Sequence, residues 1–145
     1  MVASKHDAVV RRHLEAEAAR KMDETLATLT PDCVFEDRTL GRIFRDHEGA
    51  AEYYRLWWDA FENTVSPEHR QWTTDGALVS EVRFQGMHQG QFLGLEPTGR
   101  AVDLPVVIFI SFGEELMAGE RLYWDVGTLL RQLGITSLPS VHDLT

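Results

Sequence analysis

The sequence predicts an α+β fold in which helices come first and an antiparallel sheet follows. Apolar residues recur at helical spacing up to about residue 62, whereas from His69 onward apolar and polar residues alternate as in half-buried strands. The connections between the predicted strands are short, so neighbouring strands are expected to pair in chain order. A length of 145 residues suits a single domain over residues 1–145.

Capping residues, prolines and a glycine mark the predicted helices. Ser4 followed by Asp7 resembles a capping box, and Asp23 and Asp46 are placed to cap the next two helices. Prolines at positions 31 and 67 end those two, and Gly134 suits the position just after the last helix. The predicted helices cover residues 4–21, 23–29, 46–62 and 126–133.

The predicted strands follow from period-two alternation. In the clearest one the even positions from Leu78 to His88 are largely apolar and the odd ones polar, so the even side chains are expected to face the core. Residues 38–45 form a loop or a weak strand. The predicted strands cover residues 33–37, 71–74, 77–89, 98–112 and 116–125.

Composition and charge exclude several classes of partner. The formal net charge is −9 and no run of Lys or Arg could neutralise a phosphate backbone or an anionic lipid surface, so neither nucleic acid nor a membrane is expected as a partner. A lone cysteine, Cys33, allows no internal disulfide and no cysteine zinc site. No targeting segment is recognised at the start, so a cytoplasmic protein is expected. No metal site is expected, because His47-Glu48 resembles the start of a zinc-protease helix but lacks the second histidine at position 51.

Two polar residues are the candidates for chemistry. His88 lies on the inward face of its strand, and Asp125 ends a strand about forty residues later. They are expected to lie two strands apart in the sheet, which at ~4.8 Å per strand predicts a distance of about 10 Å. An imidazole titrates near neutrality and a carboxylate can exchange protons beside it, so this pair could perform acid/base catalysis.

Five segments in order resemble the SnoaL-like polyketide cyclases and ester cyclases of the nuclear-transport-factor-2-like superfamily. The resemblance covers nearly the whole chain and implies a cone, with N-terminal helices packed on a curved antiparallel sheet that encloses an apolar pocket. It also implies that Asp125 is the general acid/base, that His88 polarises the substrate, that no cofactor is used, and that two copies pair through their sheets. The segments are residues 30–37, 84–90, 94–100, 123–125 and 129–134.

The function implied by this resemblance is acid/base chemistry, such as aldol-type ring closure or proton transfer, on a small hydrophobic carbonyl compound such as a polyketide. The third helix carries an aromatic cluster that suits a pocket for flat apolar rings. The residues expected to line the pocket are Tyr54, Trp57, Phe61, Phe84, Val106, Ile108 and Tyr123.

Simpler interpretations stand beside these. Asp125 precedes a short helix and could be only its N-cap, and His88 could be a core histidine. His13 and Asp37 are expected at the surface.

A noncatalytic pocket is the alternative function. An epoxide hydrolase is disfavoured because Arg100 and Asp103 are three residues apart, and a steroid isomerase because the first helix has no tyrosine.

Overall fold

The computed structural model describes residues 5–74 and 76–135, and the side chains within these ranges outside 63–69. The predicted cap at Ser4 and the last ten residues lie outside this part. The helices are α1 (Lys5–Ala18), α2 (Met22–Leu26), α3 (Asp46–Trp58) and α4 (Val126–Gln132). The strands are β1 (Leu29–Asp37), β2 (Arg42–Arg45), β3 (Phe61–Thr74), β4 (Ala77–His88), β5 (Ala101–Phe112) and β6 (Met117–Trp124).

The six strands form one curled sheet in the order β2-β1-β6-β5-β4-β3. The antiparallel run from β3 to β6 follows chain order, as predicted from the short connections. Strand β1, however, pairs with β6 in parallel, so the sheet is mixed. The sheet is antiparallel apart from this one pair, which no local signal predicts because the first strand returns to the far edge of the run.

The boundary between α3 and β3 also differs from the prediction. The helix ends at Trp58, and Phe61 already pairs with His88 as the first residue of a fourteen-residue strand. The backbone ladder continues past Pro67, where the pairing register shifts before Arg70. A proline in the strand therefore accompanies an irregularity in the ladder rather than the end of a helix.

Local signals at the helix ends are only partly those expected. The third helix has Arg45 in the N-cap position without a capping hydrogen bond, and Asp46 is its first helical residue. At the end of α4, Gly134 adopts φ +76°, and the N–H groups of Gly134 and Ile135 bond back to the carbonyls of Arg131 and Leu130. This is the Schellman arrangement that a left-handed glycine permits. No helix in the described part is both long and apolar enough to span a membrane.

The core lies between the concave face of the sheet and helices α1 and α3. Along β4 the even residues Ser80, Val82, Phe84 and His88 are buried, so the predicted inward face is confirmed. Along β6, Leu122 and Trp124 point the same way. This α+β cone leaves a cavity between the sheet and the helices.

Candidate active site

A largely apolar cavity opens between α1, α3 and the concave face of the sheet. Its free space is about 90 Å³, counted where the centre of a water-sized sphere fits. By the same measure one water needs about 10–15 Å³, so the cavity can hold a small organic ligand. Aliphatic and aromatic side chains form most of the wall, and the polar groups are few: His13, Glu17, Tyr53, Tyr54, Gln71, Ser80 and Glu120.

The most polar part of the wall is a cluster around His13. This imidazole is 1% exposed, and its Nε2 lies 2.9 Å from the Tyr54 hydroxyl. Two carboxylates flank the same nitrogen, with Glu17 at 3.4 Å and Glu120 at 3.5 Å. On the other side of the ring, Nδ1 lies 2.7 Å from the hydroxyl of Thr28. Helix α1, helix α3 and strand β6 thus meet at this imidazole.

The charges of the cluster follow from its geometry. Burial by itself lowers the pKa of His13, but the contacts with Glu120 and Glu17 outweigh it and raise the pKa to about 9. Burial raises the pKa of Glu120, and the neighbouring His13 lowers it by less. His13 is therefore an imidazolium at neutral pH, and Glu120 is a carboxyl whose affinity for a proton is increased by the apolar surroundings.

The sequence places the members of the cluster by spacing and by one glycine. His13 and Glu17 are four residues apart and so share a face of α1. Glu120 shares the inward face of β6 with Leu122, and it follows an irregularity at Gly119, where φ is +141°. A Cβ at Gly119 would lie 1.9 Å from the carbonyl oxygen of Val34, so only glycine allows β6 to approach β1 this closely.

A second buried carboxylate supports the cavity wall from behind. Asp37, expected at a surface turn, is 0% exposed and accepts hydrogen bonds from the Leu40 N–H at 2.8 Å and the Tyr53 hydroxyl at 2.7 Å. The indole N–H of Trp124 also donates to it, at 3.0 Å. Both Tyr53 and Trp124 line the cavity, so Asp37 holds two of its walls in place.

His88 is buried but does not line the cavity. Its Nδ1 accepts the backbone N–H of Thr98 at 3.2 Å, and the Thr98 hydroxyl lies 3.0 Å away. Burial lowers the pKa of His88, and a smaller effect of the Gly90 backbone opposes this. The Phe61 ring packs between His88 and Trp57, a residue that lines the cavity. Phe61 and His88 therefore lie behind the cavity wall. Nδ1 of His88 thus has local partners, whereas its buried Nε2 has no hydrogen-bond partner among the described residues.

Asp125 lies at the surface as the N-cap of α4. Its side chain is 63% exposed and accepts the Thr128 backbone N–H at 2.9 Å. The hydrogen bond from the Thr128 hydroxyl is the main cause that lowers the pKa of Asp125. Asp125 therefore caps α4, as the simpler interpretation of this residue expects. Its carboxylate is not among the groups that line the cavity.

The two predicted residues do not converge. The backbone of His88 bonds to Arg100 at one end of β5, whereas Trp124, next to Asp125, pairs with Val106. At ~3.3 Å per residue this offset is roughly 15–20 Å along the strand. The expected separation of about 10 Å is therefore too short, because it counts two strand spacings and omits this offset along the strands. A catalytic role for these two residues stays a prediction, and the geometry favours the His13 cluster.

Most of the residues expected in the pocket do line the cavity. They are Tyr54, Trp57, Phe84, Val106 and Ile108. Phe61 lies behind the wall, as described above. Tyr123 is on the outward face of β6 and 42% exposed, because neighbouring residues in a strand point to opposite sides. Asp103 forms an ion pair with Arg83 and likewise does not line the cavity.

Sequence reasoning missed His13, Glu17 and Glu120, although each left a signal. His13 is three residues after Val10 and belongs to the buried stripe of α1. Glu120 has the same parity as Leu122 and Trp124, so alternation alone would have placed it inside.

In the part of the chain described, no three His, Cys, Asp or Glu side chains are arranged to hold a metal ion.

Comparison with known proteins supports the cone and identifies the family. The family model of the SnoaL-like polyketide cyclases matches residues 7–133. The chain belongs to this family. A search of curated proteins finds no significant match.

Solved structures with the same fold are distant in sequence. A candidate SnoaL-like polyketide cyclase from Jannaschia sp. CCS1 has a TM-score of 0.81 at 20% identity, with 96% of this chain and 99% of that chain covered. TsrD from Streptomyces laurentii has a TM-score of 0.78 at 19% identity, covering 93% and 98%. A protein with a ketosteroid isomerase-like fold from Catenulispora acidiphila, in complex with trimethylamine, has a TM-score of 0.75 at 13% identity, covering 90% and 97%.

Proposed function

We propose that this SnoaL-like protein catalyses proton transfer at the carbon next to a carbonyl group in a small apolar compound, as in polyketide ring closure. The observation that carries the proposal is a carboxyl group, Glu120, on the wall of an apolar cavity and 3.5 Å from a buried imidazolium. A general base works best when its pKa approaches the operating pH, and burial raises the pKa of Glu120 in that direction.

In this proposal Glu120 is the base. Its carboxylate takes a proton from the carbon next to the carbonyl, the C–H electron pair moves into the new C=C bond, and negative charge collects on the carbonyl oxygen. In a cyclisation the resulting enolate carbon attacks a second carbonyl carbon of the same molecule. Glu120 then returns its proton to the new alkoxide oxygen. The imidazolium of His13 offsets the negative charge of the site throughout.

The test is exchange of the α-protons of α-tetralone, a bicyclic aryl ketone, in deuterium oxide followed by NMR. General acid–base catalysis contributes about 10²–10⁴-fold, so Glu120→Gln is expected to lose about that much of the exchange rate. Glu115→Gln, an exposed residue in the β5–β6 connection, is the matched control and keeps the rate. Wild-type exchange no faster than in buffer, or full exchange in Glu120→Gln, contradicts the proposal.

Two further variants separate the alternatives. Asp125→Asn preserves a residue that caps helices well and removes the carboxylate, so it is expected to keep the exchange rate. Loss of exchange in that variant would restore the hypothesis based on His88 and Asp125. Binding of α-tetralone without exchange, detected by quenching of tryptophan fluorescence, would favour the noncatalytic pocket.

We also propose that two copies associate through the outer face of the sheet. Phe109 and Tyr123 are each 42% exposed there, and their rings meet edge-on with centroids 5.9 Å apart. Phe109 pairs with Val79, which in turn pairs with the exposed Trp72. Three exposed aromatic residues thus lie on three of four neighbouring strands, and such exposed apolar area is typical of an interface between proteins.

A further inference from the structure

A chain of hydrogen bonds connects the end of α2 to the cavity, and its direction can be determined. The Thr28 hydroxyl lies 2.6 Å from the carbonyl oxygen of Thr25, to which it donates. A hydroxyl has one hydrogen, so the Thr28 oxygen must accept at its other contact, the 2.7 Å bond to His13. Nδ1 of His13 therefore carries a hydrogen, and the ring is held with Nε2 towards the cavity.

The next bond in the chain runs from His13 to Tyr54. The pKa of His13 is about 9, so at neutral pH Nε2 also carries a hydrogen. The Tyr54 oxygen, at 2.9 Å, is the nearest acceptor for that hydrogen. The carboxylates of Glu17 and Glu120, which favour the protonated ring, lie farther from Nε2, at 3.4 and 3.5 Å. Because Tyr54 accepts here, its own O–H remains free to donate, and within the described residues this hydroxyl has no second hydrogen-bond partner.

We propose that the Tyr54 hydroxyl donates a hydrogen bond to the carbonyl oxygen of the ligand, and that Thr28 is the positioning residue that fixes the direction of the chain. The inference rests on the proposed function and adds the group that receives the developing negative charge. Tyr54 and Glu120 are neighbours of the same nitrogen and both line the cavity. A ligand thus needs an acceptor oxygen close to an acidic C–H bond, which is the pattern of an enolisable ketone.

Two properties of Tyr54 suit it as this donor. Burial, followed by the charges of Glu17 and Glu120, raises the pKa of Tyr54 well above its usual range, so the O–H is retained. The imidazolium behind it polarises the hydroxyl, since hydrogen bonds in a chain strengthen one another and those from charged donors are the stronger ones. Such a donor stabilises an enolate oxygen more than a ketone oxygen.

The direction of the chain can be tested without any ligand. The pKa of His13 is measured by ¹⁵N–¹H NMR in wild type and in Tyr54→Phe. If Nε2–H donates to Tyr54, the variant loses an acceptor for the charged form and the pKa of His13 falls, by about one unit. If Tyr54 instead donates to a neutral Nε2, the same change raises the pKa, and the proposal is overturned.

Matched variants test the remaining bonds in this chain of hydrogen bonds. Tyr53→Phe changes the adjacent tyrosine, whose hydroxyl binds Asp37, and is expected to leave the pKa of His13 unchanged. Above pH 10 the last ring hydrogen of wild-type His13 is expected on Nδ1. Thr28→Val moves it to Nε2, and Thr28→Ser keeps it on Nδ1. A wild-type ring with the hydrogen on Nε2 overturns the proposal even without a variant.

The donor role itself is read from a bound probe. α-Tetralone labelled with ¹³C at the carbonyl carbon is titrated into the protein, and its carbonyl resonance is expected to move downfield on binding to wild type but not to Tyr54→Phe. An equal displacement in both proteins overturns the assignment. The ligand-free NMR is independent of turnover, so a fall in the pKa of His13 alongside full exchange in Glu120→Gln would reject only the base, not the donor.

Discussion

Raising the pH from 6.5 to 9 is expected to destabilise the folded protein through His13. The folded state raises the pKa of this residue from 6.5 to about 9. Between these values the folded protein keeps a proton that the unfolded chain has released, so the unfolded state binds fewer protons and the free energy of unfolding falls as the pH rises. The stabilisation is complete below pH 6.5 and is lost as the pH approaches about 9.

The size of the effect follows from the displacement of the pKa. Each unit corresponds to about 1.4 kcal/mol, so the full displacement of His13 is worth about 3 kcal/mol as an upper value. Burial also raises the pKa of Glu120 above its usual value, so the folded state keeps this proton to higher pH than the unfolded chain does, and its release adds a further loss of stability as the pH rises. For a domain of this size such a loss is a large fraction of the total stability.

The assay is urea unfolding at half-unit steps of pH, followed by tryptophan fluorescence. The midpoint concentration is expected to fall between pH 6.5 and 9 with an unchanged slope m. Burial raises the pKa of Cys33 from 9.0 to about 11, so the loss of stability caused by this thiol begins near pH 9, where the unfolded chain releases its proton. Cys33→Ala serves as the background control. In His13→Gln the decline between pH 6.5 and 9 should be absent, whatever the absolute stability of the variant.

Equal stability of the wild type at pH 6.5 and pH 9 would refute the reasoning. A decline of the same steepness in His13→Gln would do so as well, because the loss would then belong to other groups. If Glu120→Gln shows a shallower decline than wild type, the two residues titrate as a coupled pair, as their contact implies.

Two other predictions concern Asp37 and the outer face of the sheet. Asp37→Asn turns one of the two oxygens that accept from three buried donors into an NH2 group, which cannot accept, and is expected to cost about 2–3 kcal/mol. The loss is measured by urea unfolding against the exposed control Asp32→Asn, and a loss below that of the control contradicts the supporting role. Phe109→Glu places a charge in the proposed interface and is expected to give a monomer in sedimentation velocity at micromolar concentration, whereas a monomeric wild type contradicts the dimer.

Local patterns in the sequence predicted most of the elements but not the site. The alternation along β4 placed His88 inside, and the short connections predicted the pairing from β3 to β6. Neither pattern contains information about register, and a displacement of a few residues separated His88 from Asp125. The helical stripe of α1 contained His13, but its polar side chain suggested the surface, because three of its partners, Thr28, Tyr54 and Glu120, lie outside that helix.

The sequence alone determined the α+β class, the inward face of the long strands, the family and the presence of an aromatic-lined interior. These properties follow from periodicity and motifs, which act over a few residues. Only the tertiary structure decided which polar groups share the cavity. Glu17 on α1, Tyr54 on α3 and Glu120 on β6 meet at His13 because the parallel return of β1 beside β6 and the packing of two helices on the sheet bring distant segments together.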